Sequence, residues 1–219
     1  MNKNDLKEVA NQLSCPSGEN GVLFGERMNE SNAVMISRCI SCLSPVNGEA
    51  ILEIGLGNGA LSCPIVEAVG NEGRYIGLEH SETMASEALT ILSQINPEII
   101  DIKIGNCLEA DIPQRKINGL LAVNVLYFID DLDLLFQKIA NWLVAGGRIV
   151  FGLRPQGLLQ RMPFSEHGFN IRPLDEIIEK LAARKFANIH AEYISEDIKS
   201  PQGDTNQMGF VVLTASIEK

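Results

Sequence analysis

The chain has no run of 18 or more apolar residues, no Lys/Arg-rich stretch, no internal repeat and no low-complexity tract. The first absence argues against membrane insertion, since a spanning helix needs about 20 consecutive apolar residues. The opening residues, Met1-Asn-Lys-Asn-Asp-Leu-Lys-Glu8, lack the apolar stretch of a secretion signal, so a cytoplasmic location is expected. Basic residues are few: 18 Lys plus Arg stand against 28 Asp plus Glu, a net charge of −10. That balance argues against a nucleic-acid partner, whose phosphate backbone is held by Lys and Arg. Cysteines number five, an odd count that fits reduced thiols better than a disulfide framework. Cys39-x-x-Cys42 has no second pair and no His-x-His partner to complete a zinc site, so no metal is expected there. What remains is ordinary globular material, 45% hydrophobic and 21% charged over 219 residues, enough for one domain with a substantial core.

Against that background one segment stands out. Ile51-Leu-Glu-Ile-Gly-Leu-Gly-Asn-Gly59 is an apolar run ending in a glycine-rich turn, and a second run, Gly73-Arg-Tyr-Ile-Gly-Leu-Glu79, ends in a carboxylate. Together they predict a β-α-β unit that holds a nucleoside: glycines let a ligand approach the main chain, and the carboxylate accepts the ribose hydroxyls. Two cofactor classes compete for the site. Gly55-x-Gly57-x-x-Ala60 with Glu79 satisfies the dinucleotide fingerprint, which would make the chain an NAD-dependent oxidoreductase. Glu53, Gly55, Gly57 and Gly59 equally fill the acidic-x-Gly-x-Gly-x-Gly pattern of an S-adenosylmethionine site. A dinucleotide needs a helix N-terminus facing its pyrophosphate, whereas a carboxylate such as Glu53 suits a sulfonium amino acid's ammonium. The segment favours the methyl donor.

Hydrophobic periodicity places the remaining elements. Leu6, Val9, Ala10 and Leu13 mark a short helix, a loop is expected over 14–27, and a second helix over 28–44. Strands are expected near 49–55, 74–79, 99–104, 118–125 and 147–153, with helices at 58–69, 82–95 and 130–143 between them. The near-continuous apolarity of the first, fourth and fifth runs fits parallel strands covered on both faces. Ala145-Gly146-Gly147 is expected to end the third of these helices, because glycine takes the left-handed C-terminal conformation readily. Pro173 opens a further helix, and alternation over 187–193 marks a strand. A polar turn through 200–204 then leads to a final strand over 209–215, as in an antiparallel hairpin.

Ile104-Gly-Asn-Cys107, Gly119-Leu-Leu-Ala-Val-Asn-Val-Leu-Tyr-Phe-Ile129 and Leu143-Val-Ala-Gly-Gly-Arg-Ile-Val150 follow in order and at family spacing. Over residues 45 to 155 the chain resembles the class I S-adenosylmethionine-dependent methyltransferases. Cys15-Pro-Ser-Gly-Glu-Asn-Gly21 and Met28-Asn-Glu-Ser-Asn32 resemble the N-terminal arm of a bacterial group of these enzymes. The resemblance implies a Rossmann-like α/β fold: seven strands, mostly parallel, helices on both faces and an antiparallel C-terminal hairpin. It implies a single domain, with 1–44 an N-terminal helical arm and 45–219 the α/β core. It also implies methyl transfer from S-adenosylmethionine, with a small molecule as the expected acceptor.

Site residues follow from the motifs. Glu53 is expected to meet the donor's ammonium, Gly55, Gly57 and Gly59 to admit its amino-acid portion and sugar, and Glu79 to bind the ribose. His80 and Met84 are candidates to flank the adenosine. The family often has an acid at the position of Asn106 to bind the adenine amino group; here Asn106 and Cys107 stand there, with Asp111 as the alternative. Asn124 is expected to face the methyl-transfer zone. Tyr127 and His167 are candidates to position or deprotonate an acceptor, His having a suitable intrinsic pKa. Gly18, Gly21 and Gly25 are expected to let the arm fold over the cofactor as a lid, bringing Met28 and Asn29 near the methyl group. Met162, Phe164 and Phe169 hint at a partly apolar acceptor. Because no decisive catalytic residue is present, a noncatalytic cofactor-binding subunit stays open as a further alternative.

Overall fold

The computed structural model of the chain describes residues 3–199 and 205–218. Two helices come first, α1 (Lys3–Ser14) and α2 (Gly18–Leu43). There follow β1 (Ala50–Ile54), α3 (Cys63–Val69), β2 (Arg74–Glu79), α4 (Glu82–Leu92), β3 (Ile100–Ile104) and β4 (Ile117–Val123). Next come α5 (Leu132–Trp142), β5 (Leu143–Leu153), the short α6 (Gln156–Leu159), α7 (Leu174–Ala182), β6 (Phe186–Lys199) and β7 (Thr205–Ile217). The strands form one seven-stranded sheet in the order β3-β2-β1-β4-β5-β7-β6. β1 to β5 pair in parallel, and β7 runs antiparallel to both β5 and β6. This is the expected Rossmann-like arrangement with its C-terminal hairpin, although the turn expected at 200–204 lies outside the described residues.

The pleat of each central strand feeds two cores. In β1, Leu52 and Ile54 join Phe136, Ile139 and Leu181 from α5 and α7. Ile51 joins Met35, Leu43, Ile65 and Leu92 from α2, α3 and α4 on the other face. Cys39 belongs to this second core, and burial pushes its thiol up to about 12. A neutral thiol packed beside Met35 is a small hydrophobe, which is the part Cys39 plays in Cys39-x-x-Cys42.

The N-terminal reading needs correction. Residues 18–27, expected as part of a loop, form the first turns of α2. Gly21 and Gly25 lie one turn apart on it and are buried. A Cβ at Gly21 would fall 2.8 Å from the Pro16 carbonyl carbon, and one at Gly25 2.8 Å from Met84 Sδ. These glycines therefore serve close packing of a rigid helix, not the hinge of a folding loop. Met35, Cys39 and Leu43 are fully buried, so the second half of the arm is part of the sheet's own core. The Ala145–Gly147 reading also changes: α5 stops at Trp142, and pairing resumes at once with Leu143 opposite Ile117. The glycines bulge out of β5 between that pair and Gly119–Arg148, with Gly146 left-handed at φ 77°.

Arg148 fastens α2 to the sheet. Its Nε donates to the Leu43 carbonyl, Nη2 to the Ser44 carbonyl at 3.0 Å, and the two Nη atoms to the Glu49 carboxylate at 2.7 and 2.6 Å. The last carbonyls of a helix have no internal donor, so the guanidinium fork serves as a cap as well as an ion pair. The Arg148 hydrogen bonds hold the Glu49 carboxyl below its ordinary value of 4.5. Arg148→Ala is expected to cost about 2 kcal/mol, the value of hydrogen bonds to charged groups, and to lower the unfolding midpoint by roughly 4–8 °C. Because the folded-state pKa of Glu49 is depressed, its contribution is complete above its ordinary value and lost as pH falls below it. The gap between wild type and variant should therefore hold at neutral pH and narrow in acid, as thermal unfolding across pH will report.

Candidate functional site

The order β3-β2-β1-β4-β5 reverses direction between β1 and β4, and in open α/β sheets ligands bind at the carboxyl ends beside such a point. A cavity of about 680 Å³ opens there. Its wall takes Gly55 after β1, Glu79 ending β2, Asn106 after β3, Asn124 after β4 and Arg154 after β5. Sequence-distant residues thus converge because five parallel strands end at one edge.

The glycine turn is built by left-handed backbone at Gly55 (φ 73°), Gly57 (φ 59°) and Gly59 (φ 75°). A Cβ at Gly55 would strike Val125 at 2.5 Å, whereas one at Gly57 meets nothing within 4 Å. Gly57 is consequently where a ligand can approach the main chain. The Gly57 N–H donates to Glu79 Oε2 at 2.9 Å and the Ser81 N–H to Glu79 Oε1 at 3.0 Å. Glu79 is 5% exposed, and burial raises its carboxyl above the ordinary range against the opposing pull of these backbone donors. Each carboxylate oxygen offers two lone-pair sites, so each keeps one for a ligand hydroxyl. That geometry fits a ribose.

Glu53 sits elsewhere than expected. One residue out of phase with Leu52 and Ile54, it shares the face of β1 with Ile51, is 4% exposed and is not on the cavity wall. The Tyr75 hydroxyl donates to its Oε2 at 2.7 Å, and burial pushes its carboxyl up. Its place in the turn's support belongs to the fold, and the cavity meets a pair of asparagines instead. Asn29 Nδ2 donates to Asn58 Oδ1 at 2.9 Å, and the same oxygen accepts the Ala60 N–H at 3.2 Å. Asn29 Oδ1 and Asn58 Nδ2 remain for a ligand, and both residues line the cavity.

His80, Met84, Asn106 and Cys107 all reach the wall, as expected. Met84 is fully buried and doubles as the contact of α4 with Gly25. Asn106 Oδ1 accepts the Leu108 N–H at 2.9 Å, which fixes the loop and leaves its amide nitrogen and one lone pair free. Burial pushes the Cys107 thiol up to about 11, so it presents a neutral surface. Asp111, the alternative to Asn106, is exposed and off the wall. The loop turns it outward.

At the far end the wall becomes aromatic and aliphatic. Phe169 packs 4.6 Å from Phe128, 5.7 Å from Tyr127 and 5.8 Å from Phe164, ring centre to ring centre. Met28 and Met162 complete this half. Tyr127 donates its hydroxyl to Asn124 Oδ1, Asn124 Nδ2 donates to Asn32 Oδ1 at 2.9 Å, and Arg154 Nη2 donates to the same oxygen at 3.3 Å. Burial raises the Tyr127 hydroxyl above its ordinary value, so it serves as a donor and not a base. Arg154 is in turn paired with Glu196, their side chains 9% and 7% exposed. His167 does not join this cluster: its N–H caps a short turn on the Phe164 carbonyl, and its neighbours Gly168 and Phe169 face the cavity in its place. His190, on the exposed face of β6, is off the wall too.

The arm borders both halves. Leu13, Ser14, Cys15 and Pro16 are on the wall, and the Pro16 carbonyl accepts the Ser81 hydroxyl. α1 packs against the 163–166 turn beside the aromatic end. Asn32, Asn58 and Glu196 were not singled out in the sequence. The signal for Asn32 was its spacing, i+3 from Asn29 and i+7 before Cys39, which puts it on the stripe of α2 that carries Met35, Cys39 and Leu43 further along. Glu196, far along β6, had no local signal.

Residues 51–147 match a family model described as a methyltransferase domain. Aklanonic acid methyltransferase DauC of Streptomyces sp. (strain C5) is 26% identical over 179 residues, 74% of this chain and 78% of that protein. The geranyl diphosphate C-methyltransferase of Streptomyces coelicolor A3(2), solved with Mg2+, geranyl diphosphate and S-adenosyl-L-homocysteine, superposes over 97% of each chain at a TM-score of 0.69 and 12% identity. The [4+2]-cyclase SpnF shares the fold at a TM-score of 0.64 and 17% identity, covering 84% of this chain and 81% of its own. At those identities the solved structures speak for the fold, while the family model and the Streptomyces relative speak for the reaction. With the glycine turn, the buried Glu79 and the seven-stranded sheet, they support a class I S-adenosylmethionine-dependent methyltransferase.

Proposed function

We propose that the β1–β3 half of the cavity holds S-adenosylmethionine and that the aromatic half takes a small, partly apolar acceptor. The observation that carries this reading is one continuous cavity of about 680 Å³ with a polar and an aromatic end. Its size falls within the roughly 300–1,000 Å³ of small-molecule sites. S-adenosylmethionine supplies, when bound, a methyl group already activated by sulfonium charge. Glu79 accepts the ribose hydroxyls, and the Asn29–Asn58 pair offers an acceptor and a donor to the amino-acid end. Gly57 gives the approach to the main chain, while His80, Met84, Asn106 and Cys107 border the adenosine. Phe128, Phe164 and Phe169 hold the acceptor's apolar body, and the reaction relies on alignment more than on a base. A relative named for methylation of aklanonic acid supports a small-molecule acceptor.

A dinucleotide fits less well. The Ala60 N–H that a pyrophosphate would claim is already bonded to Asn58 Oδ1, and α3 begins only at Cys63 after a tight turn. The arm closes the cavity from above, through Leu13 to Pro16, as part of the same reading.

Glu79→Gln is expected to weaken S-adenosylmethionine binding about 10–100-fold, for loss of charged hydrogen bonds. Glu53→Gln should weaken it less; titration calorimetry giving equal losses would return Glu53 to the donor site. Removing residues 1–16 should weaken donor binding and transfer together, and unchanged binding would refute the covering role of the arm. Once a screen of phenols and organic acids yields a methylated product, Phe169→Ala should raise that acceptor's KM about tenfold while sparing the donor's. Donor binding without turnover on any acceptor, together with a stable co-purifying protein, would favour an accessory subunit.

A further inference from the structure

We propose that Asn32 recognises an anionic oxygen of the acceptor, a carboxylate or enolate carried on a planar apolar body; this rests on the acceptor half proposed above. The oxygen and nitrogen of an amide are told apart by their partners. Two donors, Asn124 Nδ2 at 2.9 Å and Arg154 Nη2 at 3.3 Å, converge on one atom of Asn32, which must be its oxygen. Both lone pairs of Oδ1 are thereby used. Among the described residues Nδ2 has no hydrogen-bond partner and is not a buried unsatisfied atom, and Asn32 lines the cavity. Two N–H groups of a fixed amide are thus presented to the ligand space.

The surroundings make this end donor-rich. Arg154 is on the same wall, held by Glu196, by the Ser31 carbonyl at 3.0 Å and by the Gly209 carbonyl at 3.5 Å. Glu196 itself is off the wall, behind the guanidinium it pairs with. The Tyr127 proton is directed at Asn124. Asp130, the carboxylate on this part of the wall, is exposed and accepts from Asn170 at 2.8 Å. With the Asn32 oxygen saturated, a ligand oxygen meets only its amide N–H donors, and an anionic oxygen gains more from them than a neutral carbonyl or hydroxyl because its hydrogen bonds are charge-assisted. A site built of fixed donors discriminates between such ligands more sharply than an apolar pocket can. Phe128, Phe164 and Phe169 lie beyond to take a flat body.

The test uses the full chain saturated with S-adenosylhomocysteine and two probes of similar shape, 2-naphthoate and neutral 2-acetylnaphthalene. Calorimetry or ligand-observed NMR is expected to show 2-naphthoate binding about tenfold more tightly. Asn32→Asp keeps an oxygen for Asn124 and Arg154 but replaces the free N–H2 with a second oxygen. It should abolish the preference while S-adenosylhomocysteine binding, retained, reports an intact fold. Equal affinity of wild type for the two probes, or an undiminished preference in Asn32→Asp, overturns the assignment to Asn32 and leaves the aromatic half standing. Failure of both probes to bind overturns the aromatic acceptor reading and this inference with it.

Discussion

The Glu79 carboxylate organises the β1–β2 end of the cavity. Its two oxygens take the N–H groups of Gly57 and Ser81, so the turn after β1 and the corner after β2 are held by one side chain. Ser81 then passes the constraint on. Its hydroxyl oxygen caps α4 through the Met84 N–H at 3.1 Å, and its proton goes to the Pro16 carbonyl. A turn, two element ends and the N-terminal arm become one hydrogen-bonded unit around a buried carboxylate. Burial raises the pKa of that carboxyl, and the backbone donors oppose it. A ligand bringing two hydroxyls continues the same pattern of donation.

The second organising element is α2, whose inward stripe divides its length between two jobs. Met35, Cys39 and Leu43 disappear into the core, while Asn29 and Asn32 turn to the cavity one helical step apart. Each asparagine is oriented by a partner on the sheet side, Asn58 for one and Asn124 with Arg154 for the other. Polar groups at such depth cost stability unless bonded, and here the bonds fix which atoms face a ligand. Arg148 secures the other end of the helix, so the polar stretch cannot slide relative to the strand ends it serves.

Much of this was legible in the chain. The strands of the parallel core announced themselves because both faces are buried and their runs are nearly uninterrupted. Glu79, His80, Met84, Asn106, Cys107 and Asn124 were recoverable because strand ends in this topology must meet at one edge. Other positions failed for physical reasons. Gly21 and Gly25 looked like a loop because glycine lowers helix propensity, yet close packing on Pro16 and Met84 outweighs that cost. Glu53 fits the motif, but the pleat of β1 turns it to Tyr75. His167 was chosen for its intrinsic pKa, a property that says nothing of where a loop side chain points. Glu196 pairs with Arg154 across 42 residues of sequence, a distance over which periodicity carries no information.

The central claim is that the donor end is shaped for a sulfur nucleoside and not for a dinucleotide. Thermal unfolding of the full chain with S-adenosylmethionine, S-adenosylhomocysteine or NAD tests it most directly. At a hundred times its dissociation constant a ligand adds about 2.7 kcal/mol of stability, worth roughly 5–10 °C for a chain of this size. The account predicts such a rise with each sulfur nucleoside and none with NAD. A rise with NAD alone would contradict it.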